Sequence, residues 1–135
     1  MATVKSYTDL SQSKVLAKIL PIESADMAYW KKSYLPSNYA VAAYQIEKLQ
    51  KGFEPEDIEY IPCWSLAALF SVIPQEIFGG EYIINITEGI DNRWVLTYDH
   101  FENRNHSYYS LSIGADNLVD ACVSMIEKLH ERKML

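Results

Sequence analysis

The chain has 135 residues, the size of one domain. That is enough to bury about two thirds of its unfolded surface without metal or disulfide staples. Its 49% hydrophobic and 22% charged residues exclude wholesale disorder. A formal charge of −6, with no basic run longer than Lys31-Lys32 or Arg132-Lys133, argues against a phosphate backbone as partner, so no nucleic acid is expected.

The opening MATVKSYTDLSQSK holds no apolar core of signal-peptide length, and no later stretch approaches membrane-spanning length. A cytoplasmic location without membrane contact is the expectation, with Cys63 and Cys122 as reduced thiols. Thr8 is placed to cap a helix from Asp9 to Leu20, which Pro21 stops. ESADMAYW follows as a turn, and then Met27 to Trp30 as a short strand or helical turn.

From Ser37 to Gly52 the run SNYAVAAYQIEKLQKG is rich in helix formers and reads as a helix. A strand is the alternative, because Ala42, Tyr44 and Ile46 also alternate. FEPEDIEY reads as an acidic loop. In IPCWSLAALFSVIP, Ser65 is the expected cap of a short buried helix that Pro74 ends, with Trp64 and Leu69 at the two positions of a hydrophobic staple.

Ile83–Thr87, Trp94–Tyr98 and Tyr108–Ile113 are β-branched and aromatic runs of strand length, forming a meander. Asn117 caps a last helix, with Asp120 in the capping-box place and an apolar stripe of Leu118, Cys122, Met125, Ile126 and Leu129. The expected fold is a single α+β domain over residues 1–135, with N-terminal helices and a three-stranded antiparallel meander packed against a C-terminal helix.

The chemistry-bearing residues each have a plain structural duty open to them as well. Cys63 beside a helix start would be a nucleophile only with a base and an orienting group, and none of His100, His106 and His130 lies in a catalytic context. DHFENRNH, from Asp99 to His106, lacks the spacing of a zinc site, so no metal or cofactor is expected. Glu54, Glu56, Asp57 and Glu59 read as a solvated face. The aromatics Tyr29, Trp30, Tyr34, Tyr39 and Tyr44, with Lys31 and Lys32 between them, are the candidate contact surface, since Tyr and Trp are enriched at interfaces.

Three blocks, YTDLSQSKVLAKILPIESADM, IPCWSLAALFSVIP and DNLVDACVSMIEKLHE, resemble a family of small uncharacterised proteins encoded by gut anaerobic bacteria and by their phages and mobile elements. The resemblance implies an accessory protein in a bacterial cytoplasm and carries no functional residues. The expected function is non-enzymatic binding of a protein partner or self-association. One alternative is sequestration of a nucleotide-like ligand with Lys31, Lys32 or Arg93 as phosphate partners. A second alternative is a hydrolase using Cys63 and a histidine.

Overall fold

A computed structural model describes residues 5–32, 39–43, 58–89, 91, 93–100, 102 and 111–135. The fold is α+β, with two antiparallel sheets and helices. Two compact units divide the chain: Ser6–Ala68, and Leu69–Leu135 together with the N-terminal residues up to Lys5.

In Ser6–Ala68, helix α1 is Leu10–Leu16 and its cap is Asp9 rather than Thr8. Asp9 accepts from the Gln12 amide at 2.8 Å, and Gln12 Oε1 accepts from the Asp9 amide at 3.0 Å, which completes a capping box. Thr8 is taken up elsewhere. Fully buried, its hydroxyl accepts from the Trp64 amide at 3.2 Å and meets Ser13 Oγ at 2.8 Å. The helix stops at Leu16 and not at Leu20, because bonds from Lys18 to Val15 and from Ile19 to Leu16 tighten the final turn before Pro21.

Strands β1 (Met27–Lys32), β2 (Ala40–Ala43) and β3 (Ile58–Cys63) form a sheet in the order β2-β1-β3. The helix expected from Ser37 to Gly52 is thus a strand at Ala40–Ala43, and its remaining parts, 37–38 and 44–52, lie outside the described residues. Ala is a good helix former, but pairing of Ala40–Ala43 with Met27–Trp30 overrides propensity. Of the stretch expected as an acidic loop, 53–57 lie outside the described residues and Ile58–Tyr60 are strand, since Ile58–Cys63 pairs with the whole of β1.

Helix α2, Leu66–Val72, starts as expected: Ser65 Oγ accepts from the Ala68 amide at 3.2 Å. Trp64 and Leu69 are both fully buried.

In the other unit, β4 (Glu76–Ile77), β5 (Tyr82–Glu88), β6 (Trp94–His100) and β7 (Ile113–Ala115) pair in sequence order. The meander is present, extended by β4. Its third strand lies at Ile113–Ala115 instead of 108–113, of which 108–110 lie outside the described residues. Register places Tyr82, Ile84, Ile86 and Glu88 on the same face as His100, Tyr98, Leu96 and Trp94.

Helix α3, Leu118–Glu131, packs on β6 and β7, where Leu96 and Tyr98 are fully buried. Asn117 accepts from the Asp120 amide at 2.8 Å, and its own amide donates to the Asp120 carboxylate at 2.8 Å. Lys5 binds the same carboxylate at 2.8 Å. The apolar face is wider than the stripe, since Val119, Ala121 and Val123 are buried too.

The end of α3 is a Schellman turn. Met134 donates to Leu129 O at 2.8 Å and Lys133 to His130 O at 3.0 Å, with Lys133 at φ 58°.

Candidate functional site

Cys63 ends β3, and its Sγ lies 3.5 Å from both Thr8 Oγ1 and Thr8 O. The residue is fully buried, and burial pushes the thiol up further than the Thr8 and Ser13 hydroxyls draw it down. An activated cysteine needs the opposite, a depressed pKa and a base at hand. Cys122 is also fully buried, and burial pushes its thiol up to about 12. Both have the character of small core side chains.

Around Cys63 the polar groups serve the fold. Trp64 Nε1 donates to Ser24 Oγ at 2.9 Å, and Ser24 donates on to Pro21 O at 2.6 Å. Asp26 accepts from both the amide and the hydroxyl of Ser65, fastening the start of α2. Each buried donor of Trp64 has a partner, as a buried polar group requires.

The pleat divides the aromatic and basic segment. Tyr29 and Lys31 share a face with Ile61 and Glu59, while Trp30 lies on the other face opposite Tyr60. Tyr29 OH donates to Thr8 O at 2.8 Å. Burial, chiefly, and the neighbouring Cys63 thiol push its hydroxyl up to about 12.

Lys31, Tyr39 and Glu59 form one cluster. Lys31 Nζ sits 3.7 Å from Glu59 Oε2 and 5.1 Å from the centre of the Tyr39 ring, and Tyr39 OH donates to Glu59 at 3.1 Å. Trp30 and Tyr60 are half-buried, and the β2 positions on their face, Ala40 and Ala42, are exposed. Lys32 is placed by its backbone pairing with Ile58. Tyr34 and Tyr44 lie outside the described residues.

The remaining candidates are dispersed. Asp99 accepts from Asn85 Nδ2 at 2.9 Å; His100 stacks edge-on to Tyr82 at 5.5 Å, with Nε2 3.7 Å from Glu81. The rest of DHFENRNH, except Glu102, lies outside the described residues, as do Glu54, Glu56 and Asp57. Among the described residues, no three His, Cys, Asp or Glu side chains gather to hold a metal ion. Nor is any helix there long and apolar enough to cross a membrane. Arg93 donates to Gly114 O at 3.1 Å and lies 4.0 Å from Asp116.

Tyr60 was missed by reading FEPEDIEY as loop, although Ile58, Tyr60 and Pro62 alternate with Glu59, Ile61 and Cys63. Phe78, 52% exposed, was missed as well; its signal is the Phe78-Gly79-Gly80 turn. No family model, curated protein or solved structure matches the chain.

Proposed function

We propose that the protein acts by binding another protein, as an accessory factor of the kind its sequence resemblance implies, and not by catalysis. The observation that carries this reading is the Trp30–Tyr60 pair, set directly opposite across β1 and β3 and only half-buried beside the exposed Ala40 and Ala42. Two rigid aromatics on a strand scaffold with small neighbours offer an anchor at low entropic cost. Lys31 and Tyr39 lie on the opposite face, held by Glu59, away from the Trp30–Tyr60 pair.

The phosphate-pairing alternative draws less support. Lys31 is engaged by Glu59 and Tyr39, and Arg93 by Gly114 and Asp116. The buried, protonated thiol of Cys63 leaves the hydrolase reading without its nucleophile.

Sedimentation over a concentration series, and capture from a bacterial host extract, test the proposal on the wild type and on Trp30→Ala with Tyr60→Ala. The expected result is lost association or capture at an unchanged melting temperature. Association and capture that survive in a normally folded double variant refute it, and so does a double variant that melts far below wild type.

A further inference from the structure

A second surface, in the other unit, carries a row of apolar side chains along one face of β5. Tyr82, Ile84 and Ile86 stand on that face at every second residue; Ile86 is 39% exposed, and Tyr82 and Ile84 are half-buried. Phe78 extends the row from the β4–β5 turn, its ring 6.0 Å from that of Tyr82 and edge-on to it.

The backbone at Phe78 is unusual for its residue type. Phe78, Gly79 and Gly80 have φ of 53°, 68° and 92°, and the turn closes with Glu81 donating to Phe78 O. The two glycines adopt this geometry freely. A phenylalanine does not, because its Cβ crowds the following carbonyl. Phe78 thus holds a large, 52% exposed ring beside Tyr82 in a backbone geometry that is strained for a residue with a Cβ.

Charge defines what would cover the row. Glu81 and Glu88 are exposed at its two ends, and the stretch from Pro74 to Gly89 holds three glutamates and no Lys or Arg. A second copy of the chain, docked by a twofold axis, would set these carboxylates against their own counterparts, which opposes such a dimer. Glu88 lies seven positions along the chain from Glu81, about 23 Å at roughly 3.3 Å per residue. A helix of about 15 residues has that length.

We infer that the β5 row is a docking surface for a basic amphipathic helix of another protein. Its apolar side chains lie on Phe78, Tyr82, Ile84 and Ile86, and its Lys or Arg residues meet Glu81 and Glu88. This surface is independent of the Trp30–Tyr60 proposal, and its test separates the two by residue.

The test is a nuclear magnetic resonance titration of the uniformly 15N-labelled full chain with a synthetic Leu/Lys helix of about 15 residues. A Leu/Glu helix of equal length is the control. The expected result is amide shifts confined to residues 78–88 with the Leu/Lys helix and none with the control. Phe78→Gly should weaken binding about tenfold or more while melting at or above the wild-type temperature, since it removes the anchor and the strain together. Glu81→Gln with Glu88→Gln should weaken binding and flatten its salt dependence.

Shifts centred elsewhere, including around Trp30 and Tyr60, overturn the inference. Equal binding of both helices, or unchanged binding by Phe78→Gly, does the same. So does a Phe78→Gly variant that melts well below wild type, or concentration-dependent shifts of residues 78–88 without peptide, which would mean a second copy occupies the row.

Discussion

Replacing Trp64 by alanine tests the packing that organises the start of α2. The ring is fully buried, and its Nε1 donates to Ser24 Oγ at 2.9 Å. Truncating a buried tryptophan costs about 3–5 kcal/mol through lost transfer energy and the cavity left behind. Trp64→Phe keeps most of the ring but loses the indole bond, worth about 1 kcal/mol, and leaves a smaller void, so about 2 kcal/mol in all is expected. Ser24 still donates to Pro21 O in both variants, so no buried donor is stranded there. At about 4 °C per kcal/mol for a chain of this size, Trp64→Ala should melt about 12–20 °C below wild type. Urea titrations with a common m-value measure the free energies, and thermal melts check them. An alanine variant within about 1 kcal/mol of wild type would refute the reasoning. A phenylalanine variant as costly as alanine would move the weight from packing to the hydrogen bond.

Ser65→Ala removes both the cap on the Ala68 amide and the hydroxyl bond to Asp26, so it should cost about 1–2 kcal/mol by urea titration. Lys133→Gly should stabilise by about 0.5–1 kcal/mol, because the Schellman position has φ 58° and glycine adopts it without a Cβ clash; Lys133→Val should destabilise. A thiol reagent at neutral pH should label neither Cys63 nor Cys122 until the protein unfolds, and fast labelling of native Cys63 would overturn its assignment to the core.

Burial raises Cys122 from 9.0, and Tyr29 and Tyr98 from 10.0, each to about 12. The folded state therefore holds these protons more tightly than the unfolded chain does. Their contribution to stability is complete below about pH 9 and is lost as pH rises toward 12. Denaturant midpoints from pH 8 to 12 should fall across that window, less steeply in Cys122→Ala.

The parts of the fold legible in the sequence are those whose causes are local. The Asn117 cap and the stripe from Leu118 to Leu129 define α3 within one stretch of chain, and Ser65 with Pro74 does the same for α2. The alternation in Trp94–Tyr98 places Leu96 and Tyr98 on the covered face whatever lies beyond. The cap of α1 moved by one residue because Thr8 is claimed by Trp64, fifty-six residues away in sequence. Local preference already ranks Asp above Thr as a cap, but it has no view of the bond that takes Thr8 up elsewhere.

The first sheet is likewise a product of distant pairing. Met27 faces Cys63 on one side and Ala43 on the other, and the pairing of Ala40–Ala43 with Met27–Trp30 makes it a strand despite its alanines. The candidate contact segment shows the same limit. Composition groups Tyr29, Trp30 and Lys31 as neighbours, and the sequence alone determined that large aromatics and lysines stand together there. Which of them share a surface was decided by tertiary structure, because a strand turns successive side chains to opposite faces and brings Tyr60 and Glu59 from β3 to meet them.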